Sequence, residues 1–131
     1  MLKVIGVTMM QMNGKIKATF CELFNKQVDF QKSLLIRQGQ IPTSNALPVD
    51  DLNWFTYHSL AMIEEMGEVM KADKRWKTHR NCRYKKDEKL DEIADVFITA
   101  MNMAMYSGFS GEDIQNAISN KIDENIQRVS K

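Results

Sequence analysis

Residues 92–105, EIADVFITAMNMAM, restrict the folding of this chain more than any other stretch. No Gly or Pro interrupts them, and the Ala- and Met-rich composition favours helix. Such a helix is apolar nearly all the way round, yet it carries Glu92, Asp95, Thr99 and Asn102. At about 100° per residue, Leu90, Ile93, Ala94, Phe97, Met101 and Ala104 cluster on one side. The four polar groups fall together on the opposite side, with Val96, Ile98 and Met103 on the flanks between. A narrow polar line in an apolar cylinder predicts a helix packed on several sides, with that line facing a polar cavity. A buried carboxylate is costly unless it is paired, hydrogen-bonded or bound to a metal. The line therefore calls for a compensating group.

The rest of the chain supplies three more helices. Phe20, Leu23, Phe24, Val28, Leu34 and Leu35 recur at helical spacing from Thr19, and Gly39 suits the position just past the helix end. QIPTSNALPVDD, residues 40–51, holds both prolines and reads as a loop. A second helix is expected from Leu52 to about Arg75, with Asp50 or Asp51 as N-cap, and the third from about Asp87 to Ser107, stopped by Gly108. Ser110 opens the fourth in a capping-box relation to Asp113, with Ile114, Ala117, Ile118, Ile122, Ile126 and Val129 as its apolar stripe. Residues 1–18 read as a short strand or an irregular lead-in. Residues 1–131 are thus expected to form a single all-α domain, a four-helix bundle-like unit. The ten methionines are read as flexible core filling.

The second helix repeats the polar line of the third. In HSLAMIEEMGEVMKA, Glu65 and Glu68 stand three apart on one face, with His58 and Ala61 above them along the same line. Glu64 points elsewhere. Facing one another, Glu65, Glu68, Glu92 and Asp95 would put four negative charges in one cavity and take up protons unless cations entered. Hard divalent ions with oxygen ligands complement such a set, so Mg²⁺ is inferred, with Mn²⁺ as the alternative. Mg²⁺ held by a few carboxylates shares substrate phosphates, which points to a phosphate-bearing substrate. A di-iron bundle would want Glu-x-x-His pairs, and neither His58 nor His79 stands three residues after a Glu.

Between the acidic pairs lies KADKRWKTHRNCRYKK, residues 71–86, with eight of the eighteen Lys and Arg. It reads as a solvated loop, a nucleic-acid patch or a seat for a polyphosphate tail. Trp76 and Lys77 offer a ring for stacking and a cation for phosphate, or Trp76 packs on the bundle end. A formal net charge of +1 gives no global pull toward nucleic acid. Cys21 and Cys82 form no C-x-x-C pair, which favours free thiols in a reducing, cytoplasmic setting. The N-terminal residues read as neither signal peptide nor membrane anchor, and no Walker or Rossmann glycine motif is present.

EEMGE at 64–68, followed by DEIAD at 91–95, resembles the E-E-x-x-E…E-x-x-D signature of the all-α nucleoside triphosphate pyrophosphohydrolases, the MazG-like and dimeric dUTPase-like enzymes. Trp76-Lys77 and the K-x-x-x-N-x-x-R spacing of Lys121, Asn125 and Arg128 resemble the dimeric dUTPase branch. The matched motifs span residues 64–128. The resemblance implies hydrolysis of a (deoxy)nucleoside triphosphate to the monophosphate and pyrophosphate, with dUTP or another non-standard or pyrimidine dNTP favoured. It implies Mg²⁺ on Glu65, Glu68, Glu92 and Asp95, with Glu65 a candidate to orient water. Lys77, Lys121 and Arg128 would meet phosphates, and Asn125 phosphate or sugar. Gln31 would meet the base, and Thr99 and Asn102 extend the acidic line toward the nucleotide. The hydrophobic flanks of the third helix imply a homodimer or homotetramer. The alternative reading is a non-catalytic helical interaction or nucleic-acid-binding module using residues 71–86. A membrane partner is not expected.

Overall fold

In a computed structural model, residues 17–43 and 46–131 are described, and they form an all-α structure of four helices. Most of the lead-in segment lies outside the described residues. The helices are α1 (Phe20–Arg37), α2 (Leu52–Ala72), α3 (Lys86–Tyr106) and α4 (Gly111–Val129). No described helix is long and apolar enough to cross a membrane.

The helix starts are fixed by side chains that take up orphan backbone N–H groups. The Thr19 hydroxyl accepts from the Glu22 N–H at 3.2 Å, and the Glu22 carboxylate accepts from the Thr19 N–H at 2.9 Å. Ser110 and Asp113 form the same reciprocal box at α4, at 3.1 and 2.9 Å. Asp51 caps α2, accepting from the N–H groups of Asn53 at 2.8 Å and Trp54 at 3.2 Å. Gly39 and Gly108, which follow α1 and α3, have φ of 69° and 87°, the left-handed turn that glycine adopts without a Cβ penalty.

The second helix ends at Ala72, three residues short of the expected Arg75. Asp73 leaves the helix in an extended conformation and forms an isolated antiparallel bridge with Tyr84. Its carboxylate takes a bidentate grip from Arg75, both bonds at 2.8 Å, and a third from Lys89 at 2.8 Å. The basic residues that periodicity would add to α2 are instead tied into the connection to α3. That connection lets α2 and α3 run antiparallel as the most extensively packed pair. At the other end of the pair the Asp50 N–H donates to the Tyr106 carbonyl at 2.9 Å.

The apolar core gathers where α1 crosses the far end of this hairpin. Phe24, Leu35, Leu47, Met105 and Tyr106 are buried there, with Phe20, Val28, Trp54, Met101 and Ile114 packed against them. A Cβ at Gly111 would stand 3.0 Å from the Phe24 Cβ and 3.3 Å from the Cys21 Cα, so glycine allows α4 to reach α1. Beyond Ile114 every α4 residue is exposed. Met105 is the one methionine buried among the described residues, while Met66 and Met70 are exposed, so core filling is not their role. Phe24 is 1% exposed at the centre of the cluster. Phe24→Ala is expected to lower unfolding free energy by about 3–5 kcal/mol in urea titrations, through lost burial and the cavity left behind. A loss below about 1 kcal/mol would show that the cluster collapses around the gap.

Candidate carboxylate seam and adjoining cavity

On α2, about 100° per residue puts Trp54, His58, Ala61, Glu65 and Ala72 on one face. That face meets α3, where Glu92, Asp95, Thr99, Asn102 and Tyr106 are on the matching side. Both polar lines therefore lie along the seam of the hairpin, as the sequence pattern predicts. The apolar sides do not pack within the chain as expected. On α2, Leu52, Phe55, Leu60, Ile63, Met66 and Met70 are exposed, and on α3 Leu90 and Phe97 are 66% and 64% exposed.

Glu65, Glu92 and Asp95 each bring a carboxylate oxygen to within 4.8 Å of the others. Partial desolvation raises the Glu65 carboxyl above its ordinary range, and the charges of Asp95 and Glu92 push it the same way. Glu92 is raised likewise, by desolvation and then by Asp95 and Glu68. Glu68 lies near enough to act on both, but its own carboxylate is turned to Lys71 at 2.9 Å. The seam thus holds three converging carboxylates with a fourth one helical turn away. Oxygen-only donors at this spacing fit a hard divalent cation, which would relieve the repulsion that lifts the two glutamates.

Farther along the seam, toward the core, opens a cavity of about 380 Å³ lined by Gln31, Leu35, Trp54, Tyr57, His58 and Asn102, among others. His58 is 4% exposed and stacks on Tyr106, with ring centroids 4.4 Å apart, and on Trp54 at 6.2 Å. Tyr57 meets it edge-on at 5.0 Å. Burial lowers the His58 pKa, keeping the ring neutral, and raises the Tyr106 phenol to about 12. The Tyr106 hydroxyl donates to Gln31 Oε1 at 2.8 Å, and the Gln27 amide donates to Asn102 Oδ1 at 3.0 Å. Thr99 donates to the Val96 carbonyl of its own helix at 2.9 Å. His58 was legible only as a member of the α2 line; its aromatic enclosure depends on Trp54 and Tyr106, whose roles no motif signals.

The remaining expected site residues lie elsewhere. Trp76 donates its indole N–H to the Met70 carbonyl at 3.3 Å, closing one of the last carbonyls of α2, and the Lys77 ammonium stands 5.1 Å from its ring. Trp76 remains 55% exposed, with Lys77 beside it, away from the carboxylates. Lys121 pairs with Glu124 at 2.9 Å, and Arg128 reaches Asn125 at 3.5 Å, so each finds its partner on α4 itself. The structure does not bring these three to the carboxylates, because α4 packs on α1 and extends away from it. The chain matches no protein-family model, no curated protein and no solved structure.

Proposed function

We propose that this chain is a Mg²⁺-dependent hydrolase that cleaves a (deoxy)nucleoside triphosphate to the monophosphate and pyrophosphate, with dUTP or another non-standard or pyrimidine dNTP favoured. The observation that carries this reading is the convergence of Glu65, Glu92 and Asp95 on the seam between α2 and α3, with a ligand-sized cavity farther along the same two helices. The resemblance of EEMGE and DEIAD to the all-α pyrophosphohydrolases supports it independently of the geometry.

Glu65, Glu92 and Asp95 would hold the cation, with Glu68 joining them on release from Lys71; Mn²⁺ suits the same donors. The bound ion would supply positive charge to the phosphates and acidify a coordinated water. Glu65, whose carboxyl is raised above its ordinary range, would orient a water and accept its proton on a carboxylate oxygen. The rings of Trp54, Tyr57 and His58 would flank the other end of the ligand.

The reading includes an assembly of like copies, a homodimer or homotetramer joined through the outer face of α2. Leu52, Phe55, Leu60, Ile63, Met66 and Met70 expose roughly 700 Å² there, near the ~800 Å² that one partner contributes to a standard interface. Lys121, Asn125 and Arg128 are away from the seam in one chain. The phosphate role that the resemblance gives them belongs, on this reading, to the assembled form.

All common NTPs and dNTPs with Mg²⁺, scored for pyrophosphate against orthophosphate, test the proposal. Pyrophosphate release from at least one, abolished by chelator, is expected. Orthophosphate alone would mean that another bond is cleaved. Salt-sensitive DNA or RNA binding without turnover would favour the interaction-module reading.

A further inference from the structure

We propose that the connection between α2 and α3 binds single-stranded nucleic acid, its unpaired cations meeting phosphates and the Trp76 ring meeting a base. Residues 74–86 hold seven of the eighteen Lys and Arg and none of the seventeen Asp and Glu. The rest of the chain carries eleven basic against seventeen acidic side chains. The net charge of +1 therefore hides a strong segregation of charge. With a Debye length of about 8 Å, a strand at the connection senses those cations rather than the total.

The backbone holds the cations together. Asp73 and Tyr84 pair as an antiparallel bridge, and just inside it the Lys74 N–H donates to the Arg83 carbonyl at 3.5 Å. Two turns follow, closed by the Lys77 N–H on the Lys74 carbonyl at 2.9 Å and the Arg80 N–H on the Lys77 carbonyl at 3.3 Å. The end residues of such a turn lie within ~7 Å of each other at Cα. Lys74, Lys77, Arg80 and Arg83 are thus crowded into one loop. Of the acids that flank it, Asp73 is held by Arg75 and Lys89, and Glu88 by Lys85. Lys74, Lys77, Arg80, Arg83 and Lys86 have no carboxylate partner among the described residues. Like charges held this close repel one another, and a phosphodiester strand relieves that repulsion.

Trp76 selects the kind of anion. The ring is 55% exposed, yet its indole N–H is fixed on the Met70 carbonyl at 3.3 Å, so it is held without being covered. It walls a cleft of about 500 Å³ with Val69, Met70, Asp73, Arg75 and Lys89. Three charged side chains in that cleft disfavour a lipid chain. An exposed ring among cations stacks an unpaired base, whereas a duplex keeps its bases stacked on one another.

The test follows the fluorescence anisotropy of a labelled oligouridylate, about 20 nucleotides long, as the full chain is added in EDTA. With five phosphates neutralised, affinity should fall about 100-fold between 50 and 200 mM salt. Arg80→Gln combined with Arg83→Gln should reduce that fall to about 20-fold, because two fewer counterions are released. Trp76→Leu should weaken binding about ten-fold and leave the salt dependence unchanged. The same strand annealed to its complement, and phosphatidylserine vesicles, should bind more weakly than the single strand. No binding, binding indifferent to salt, equal or tighter binding of duplex or vesicles, or an unchanged affinity in Trp76→Leu would overturn the assignment. The wild-type titrations decide even where a variant fails to fold. Chelator removes turnover, so strand binding and pyrophosphate release succeed or fail separately, and neither result stands in for the other.

Discussion

Asp95→Asn is expected to lower Mg²⁺-dependent pyrophosphate release on the order of 100-fold or more while raising the melting temperature of the metal-free protein at pH 7. The two effects share one cause. Asp95 stands within 4.8 Å of Glu65 and Glu92, and its charge helps raise both of their carboxyl pKa values above 4.5. A carboxyl whose folded pKa is raised favours the fold while protonated, and that contribution is lost as pH rises through the folded value. Removing the Asp95 charge relieves the repulsion where Glu65 and Glu92 are ionised, and does little where they are protonated. The melting difference between variant and wild type should therefore be near zero at pH 4 and open toward neutral pH. Asp73 and Asp113 have the opposite sign: their lowered pKa values stabilise the fold above the ordinary aspartate range and lose effect as pH falls. They act equally in both proteins, so the difference isolates the seam. Mg²⁺ should raise the wild-type melting temperature more than that of the variant. Calorimetry from pH 4 to 7, with and without Mg²⁺, checks this, and a pH-independent gap would show that the three carboxylates do not act on one another.

The sequence shows faces more clearly than it shows which way they point. Spacing alone puts Glu65 with His58 on α2 and Glu92 with Asp95, Thr99 and Asn102 on α3, and the seam brings those lines together. Ser110 and Asp113 are readable as a cap for the same reason: a cap is a contact between near neighbours. The end of α2 is different, because Asp73 is drawn out of the helix by Lys89, sixteen residues on. Helical propensity cannot register such a partner. Met66 and Met70 likewise follow helical spacing, but spacing does not say whether the apolar side meets its own chain. In this fold the polar side turns inward and the apolar side of α2 outward. Tyr106 and Trp54, which enclose His58, come from different helices and belong to no motif. Trp54 lines the cavity together with Gln31, His58 and Asn102, and of these four only its part had no signature along the chain.

That outward apolar face leads to the second large effect: Ile63→Asp is expected to convert an assembled protein to single chains, raising the dissociation constant at least about 100-fold. Ile63 is at the middle of the α2 stripe, 63% exposed, with Leu60, Met66 and Met70 around it. On a soluble single chain that cluster is an unusually large unpaired apolar surface. A charge placed in the stripe would be desolvated without a partner if a second copy packed there, and would be solvated harmlessly if none did. The substitution lies on the helix face opposite Glu65, so the folded chain should keep its helical content. Sedimentation velocity across micromolar concentrations separates the outcomes, with circular dichroism as the check on folding. A wild-type chain already monomeric at those concentrations, or a variant that assembles as before, would remove α2 as the interface. If the variant is monomeric and folded yet releases pyrophosphate at the wild-type rate, the seam is complete within one chain. Lys121, Asn125 and Arg128 are then not needed from a neighbour. Loss of turnover with the carboxylates untouched would instead place part of the phosphate-binding surface on the second copy.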